Sequence, residues 1–150
     1  MKNIVVIGTG YVGLVSGAGM SDFGNNVCCV DVDKDKIDSL QNGIIPIYEP
    51  NLKELVDRNV KSKRLKFSIN IEDAIKSAEV IFIAVGTPED KNGNADLTYV
   101  LQVAELIGKS LNSYKVVCTK STVPIGTGKR IIDFINKYNT NNIDFDYCSN

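Results

Sequence analysis

Histidine and tryptophan are both missing from this 150-residue sequence. Without histidine there is no imidazole to serve as a general base near neutral pH, and the commonest zinc ligand is gone. The four cysteines, Cys28, Cys29, Cys118 and Cys148, show no CxxC spacing, which argues against a zinc site and a Cys-His nucleophile, and no metal is expected. Each lies in an apolar, strand-like run, where a buried and reduced thiol is the ordinary state. Neither sign of charge dominates: 17 basic and 18 acidic residues leave a formal charge of −1. With no basic block to neutralise a phosphate backbone, no nucleic acid is expected as a partner. No uninterrupted apolar run approaches the ~20 residues that span a bilayer, so no membrane association is expected. The opening "MKNIVVIG" mimics a signal peptide, but Gly8 and the glycines that follow would weaken its helix, and a cytoplasmic location is the expectation.

What is present is average for a folded domain. The apolar fraction is 43% and the charged fraction 23%, enough for one hydrophobic core over residues 1–150. Short apolar runs alternate with helical patterns. Strands are expected at 3–8, 26–31, 65–69, 79–85, 115–121 and 143–148, and their two-sided apolarity suits a parallel sheet covered on both faces. Helices are expected between them. One spans 11–23 and stops at Gly24, and Asp33 caps a second that closes at Gly43. Asn51 caps a third, with Glu54 and Arg58 paired across one turn, and Asn70 caps a short fourth. Asp96 precedes the longest, whose Leu97, Val100, Leu101, Ala104 and Ile107 form one stripe. The last covers about 128–138. This alternation with right-handed crossovers gives an α/β, doubly wound, mostly parallel six-stranded Rossmann sheet in the order 3-2-1-4-5-6, with helices on both faces.

"GTGYVG" follows the first strand and opens the first helix, placing Gly8, Gly10 and Gly13 as G-x-G-x-x-G. Gly8 permits the tight turn, Gly10 lets a pyrophosphate approach the backbone, and Gly13 lets the helix lie close to the sheet. Gly17 and Ala18 extend that close packing as a seam of small residues. The helix N-terminus adds unpaired N–H groups and partial positive charge. Asp31 closes the second strand eighteen residues after Gly13. A carboxylate there accepts hydrogen bonds from ribose hydroxyls and repels a 2′-phosphate, which favours NAD over NADP, and Asp33 adds to the repulsion. Lys36 has two readings open to it: a ligand for a bound anion, or an ordinary solvated lysine.

Ligands of open α/β sheets bind beyond the carboxyl ends of the strands. The fourth strand ends at Gly86-Thr87-Pro88 and the fifth at Lys120-Ser121-Thr122-Val123-Pro124. Hydroxyls thus gather on the edge that carries Gly8 and Asp31, although turn and capping roles stay open for Thr87 and Thr122 on spacing alone. The polar stretch "PEDKNGNAD" (88–96) is expected as a loop, consistent with a flap, above the same edge.

Together "GTGYVGLVSG", "VDVDKDKI", "YEPNLKELV", "RLKFS", "FIAVGTPEDKNGNADLTYV" and "KSTVPIGT" resemble, in order and across the chain, the UDP-glucose 6-dehydrogenase family of nucleotide-sugar dehydrogenases. "YEP" with "ADLTYV" leans towards UDP-glucose rather than GDP-mannose or UDP-N-acetylmannosamine. The resemblance implies oxidation of a sugar C6 alcohol to a carboxylate with reduction of two NAD⁺, through a cysteine-bound thiohemiacetal and thioester. It implies cofactor contacts by Gly8, Gly10, Tyr11, Val12, Gly13, Asp31, Lys36, Thr87, Ser121 and Thr122, and a catalytic part for Thr122 in placing the hydrolytic water. It assigns Glu49 no chemical role that the sequence explains.

None of the four cysteines sits in that family's nucleophile motif. The expectation is a cofactor-binding half that binds NAD weakly and turns over nothing. The catalytic Cys and Lys, a central dimerisation helix and the UDP-sugar domain would lie elsewhere, and the whole protein would be a homodimer or higher homo-oligomer. Two other classes share the fold. An NAD(H)-sensing regulatory module would not need the hydroxyl of the "STVP" turn, and an S-adenosylmethionine methyltransferase would not need a full pyrophosphate turn.

Overall fold

The computed structural model describes residues 1–91 and 93–150. Six strands, β1 (Asn3–Ile7), β2 (Asn26–Val30), β3 (Leu65–Ser68), β4 (Val80–Ile83), β5 (Lys115–Thr119) and β6 (Phe145–Ser149), form one sheet ordered β3-β2-β1-β4-β5-β6. Every pairing is parallel. The expected strands are all present, with ends that differ by at most two residues. The expected Rossmann order is observed.

The helices are α1 (Tyr11–Asp22), α2 (Lys34–Gln41), α3 (Leu52–Lys61), α4 (Ile71–Ser77), α5 (Thr98–Ser110) and α6 (Thr127–Tyr138). They divide the core in two. On one face α1, α2 and α3 bury Leu14, Ala18, Ile37, Leu40, Leu52 and Val56 against Val6, Val27, Cys29 and Phe67. On the other, α4, α5 and α6 bury Ile75, Val100, Ala104, Ile107, Ile131 and Ile135 against Val5, Ile7, Ile81, Ile83 and Val117. Alternation along each strand assigns neighbours to opposite layers, so Cys28 and Cys29 serve different cores. Leu101, expected in the α5 stripe, is only half-buried.

Asp33 and Asn70 cap their helices as expected, accepting from the Lys36 and Asp73 N–H groups. Two local expectations fail. Asn51 has φ 64° and makes no side-chain cap, because a capping side chain reaches back from extended backbone, not from the left-handed region. Arg58 does not pair with Glu54. It reaches Asp22 on α1, with Nη2 and Nε at 2.8 and 3.2 Å, since α1 and α3 pack side by side and offer a forked contact that a helical turn cannot. The burial expected for all four cysteines holds only for Cys28 and Cys29. Cys118 is half-buried and Cys148 exposed, because β6 is an edge strand and α1–α3 cover the other end of that sheet face.

Candidate cofactor crevice

The carboxyl ends of β1, β2, β4 and β5 converge on one rim. The β1–α1 turn is stitched to its neighbours by backbone: the Gly8 N–H donates to Val30 O at 2.8 Å and the Ala84 N–H to Ile7 O at 2.8 Å. Gly8 has φ 106°, and a Cβ there would stand 2.4 Å from Ala84 O. A Cβ on Gly13 would lie 1.9 Å from Gly8 O, and one on Gly17 would lie 2.3 Å from Cys29 Sγ. These three glycines are therefore required by the fold itself. Gly10 differs. Its φ is −71°, open to any residue, and a Cβ would meet nothing within 4 Å. Neither strain nor packing demands glycine at this position, and the free space lies where α1 begins. No side chain caps α1, so the N–H groups of its first turn, at Tyr11, Val12 and Gly13, have no intrahelical acceptor. Tyr11 and Val12 are about half exposed beside them.

Asp31 stands at the end of β2 on the same rim. One carboxylate oxygen, Oδ2, accepts from the Thr9 N–H at 2.8 Å and the Thr9 hydroxyl at 2.7 Å. Oδ1 accepts from the Asp33 N–H at 3.1 Å. Burial pushes the Asp31 carboxyl upward, but the Thr9 N–H, the Thr9 hydroxyl, the Asp33 N–H and Lys36 outweigh it, so the group titrates below the usual carboxylate range. Lys36 Nζ lies 3.5 Å from Asp31 Oδ2. Its ammonium therefore sits at the rim as the partner of Asp31. Thr9, fully buried, is the residue that spacing did not single out. Its signal was a hydroxyl inside an otherwise apolar turn.

The β4 and β5 corners are locked together. The Lys120 and Ser121 N–H groups both donate to Ile83 O, at 2.8 and 3.1 Å. The Ser121 hydroxyl is buried and donates to Val85 O at 2.7 Å, and the Thr87 hydroxyl donates to Thr122 O at 2.8 Å. Ser121 thus acts by holding the corner, while Thr122 is left exposed at its tip. Residues 88–90 and 94–96 lie side by side, with the Asp96 N–H on Pro88 O and the Asp90 N–H on Asn94 O, both at 2.7 Å. Asn92 of that expected loop lies outside the described residues. Glu49 lines a cavity of about 240 Å³ with Val15, Pro50 and Arg58. A cavity of about 360 Å³ opens at the opposite, amino-terminal edge, beside Asn3, Asn26 and Arg64, and has no part in this crevice.

The NAD-binding domain model of the UDP-glucose/GDP-mannose dehydrogenase family matches residues 2–150. This chain belongs to that family. It is 54% identical over its whole length to the UDP-glucose 6-dehydrogenase TuaD of Bacillus subtilis, covering 32% of that protein. It superposes on a UDP-glucose dehydrogenase from Pyrobaculum islandicum with a TM-score of 0.96 at 35% identity, covering all of this chain and 35% of that one. A GDP-mannose dehydrogenase from Pseudomonas aeruginosa gives 0.94 at 34% identity, over 99% of this chain and 35% of that one. The chain thus spans about a third of the length of these relatives. The cofactor of this domain is NAD, and the crevice fits it. Open space at Gly10, N–H donors at the start of α1 and a carboxylate acceptor at the end of β2 are the features that a dinucleotide requires.

Proposed function

We propose that residues 1–150 are the NAD-binding portion of a UDP-glucose 6-dehydrogenase, which oxidises UDP-glucose to UDP-glucuronate with reduction of two NAD⁺. The single observation that carries the reading is Gly10, a glycine with neither backbone nor packing need, standing at an uncapped helix start next to Thr9, whose N–H donates to Asp31. The Tyr11, Val12 and Gly13 N–H groups receive the pyrophosphate, and Asp31 receives the adenosine ribose. Lys36 sits where it both orients Asp31 and softens its repulsion of further negative charge. Thr87, Ser121 and Thr122 form the wall at the nicotinamide end, with Thr122 exposed to place a water. Bound there, NAD⁺ supplies a hydride acceptor. UDP-glucose as the sugar rests on the 54% identity to a named UDP-glucose 6-dehydrogenase.

The thiol chemistry belongs to residues outside this chain. Cys28 and Cys29 are buried and burial pushes both thiols up, and Cys118 and Cys148 lie within strands rather than at the rim. In this reading the catalytic Cys and Lys, the sugar-binding domain and the dimerisation helix belong to the remainder of a larger, homo-oligomeric protein. Calorimetry tests the cofactor half: NAD⁺ binds one to one, and Asp31→Ala narrows its advantage over NADP⁺. Equal affinity for the two cofactors in the unaltered chain would remove Asp31 from its role. NADH production from UDP-glucose by these 150 residues alone would overturn the division of labour.

A further inference from the structure

Cys118 and Cys148 are direct partners in the parallel ladder of β5 and β6. Facing positions on neighbouring strands project to the same side of a sheet, on backbones about 4.8 Å apart. Register here is held firmly. Five consecutive pairs run from Lys115 with Phe145 to Thr119 with Ser149. The Tyr147 hydroxyl reaches Thr119 Oγ1 at 3.0 Å and the Tyr114 hydroxyl reaches Asp146 Oδ2 at 2.6 Å. The two thiols are therefore kept opposite one another. Their side of the sheet, away from Val117 and α6, is the one on which Cys148 is exposed and Cys118 half-buried.

We propose that Cys118 and Cys148 form a thiol pair that closes reversibly to an intrachain disulfide by exchange with a small-molecule disulfide. The backbone separation falls inside the range that disulfides accept, while the Cβ atoms must close to about 3.8 Å. β6 can make that shift of roughly 1 Å, because among the described residues it is an edge strand with a neighbour on one side only. Roles divide by access. The exposed Cys148 thiolate attacks one sulfur of the reagent disulfide, forming a mixed disulfide and releasing one thiol. The Cys118 thiolate then attacks the Cys148 sulfur, forming the intrachain bond and releasing the second thiol. One reagent disulfide is reduced as two protein thiols are oxidised, and both thiol protons leave as the thiolates form. Burial and the neighbouring Cys148 raise the titration of Cys118, which suits the slower, resolving partner and not the attacking one. A bond closed at the edge of a sheet under slight strain is the readily reduced kind. Cys28 and Cys29 take no part, since both are buried and adjacent residues on a strand face opposite ways. The pair is independent of the cofactor reading.

The test is incubation of the reduced 150-residue chain with oxidised glutathione, then alkylation and mass spectrometry. The expected product is monomeric, has lost two titratable thiols and carries no glutathione. Trypsin releases residues 116–120 linked to 138–150, and dithiothreitol separates them. Cys118→Ser is expected to trap a stable mixed disulfide on Cys148, and Cys148→Ser to leave Cys118 reduced. Glutathione retained on Cys148 of the unaltered chain, a covalent dimer, or four thiols left unchanged would each overturn the proposal.

Discussion

Thr9 joins fold and site through one side chain. Its N–H and hydroxyl both end on the same oxygen of Asp31, and hydrogen bonds to an ionised partner are worth about 1.5–3 kcal/mol. Thr9→Val keeps the shape and removes the hydroxyl, so denaturant unfolding at pH 7 should show a loss in that range, with NAD⁺ affinity lowered several-fold. Thr9→Ser should restore both. The pH dependence follows from the sign of the Asp31 shift. A carboxyl held below its unfolded value contributes stability above that value, near 3.9, and loses it as pH falls through the lower folded value. In Thr9→Val the folded value moves back up, so this part of the acid loss shrinks and is complete at a higher pH. An unchanged acid limb would show that Thr9 does not hold Asp31. Gly10, Gly13 and Asp31 were legible from spacing, because a strand-turn-helix fixes where those positions fall. Thr9 was not, since its role exists only once β1 and β2 are side by side.

At the scale of elements, the buried Lys115 shows how one residue joins two of them. It opens β5 with no solvent exposure, and its ammonium donates to Ala78 O at 2.6 Å and to Lys76 O at 3.2 Å, closing the carboxyl end of α4. A cation there opposes the partial negative charge of a helix end. Lys115→Met fills the same space and takes from Ala78 O its side-chain donor, while Lys76 O keeps the Asn112 amide at 3.2 Å; a buried carbonyl left unpaired costs about 1–3 kcal/mol. Thermal or urea unfolding should show a loss of at least this order. Desolvation holds the Lys115 amine below the usual lysine range, so the native chain releases this proton before the unfolded chain does. Stability should therefore gain with rising pH between that lowered value and the unfolded one near 10.4, and the gain should vanish in Lys115→Met. Element type was readable because periodicity is local. Asn51 and Arg58 were misread because their partners are set by a loop conformation and by a neighbouring helix, which no window of sequence contains.

Across the whole molecule, two half-cores on opposite faces of the sheet bring four strand ends to a single rim, and every backbone bond between those ends tightens it. The strand order was legible because right-handed crossovers leave few alternatives for six alternating units. The exposed edge at β6 was not, since apolar strand sequence does not reveal which face a helix will cover. The central claim is that the space beside Gly10 is there for a dinucleotide and not for folding. Calorimetric titration of NAD⁺ into the unaltered chain and Gly10→Ala, beside their melting curves, tests it most directly. The account predicts coincident melting curves, within about 0.5 kcal/mol in stability, and an affinity reduced about tenfold or more, equivalent to ~1.4 kcal/mol. NAD⁺ bound equally well by Gly10→Ala, or a Gly10→Ala chain that unfolds early, would contradict it.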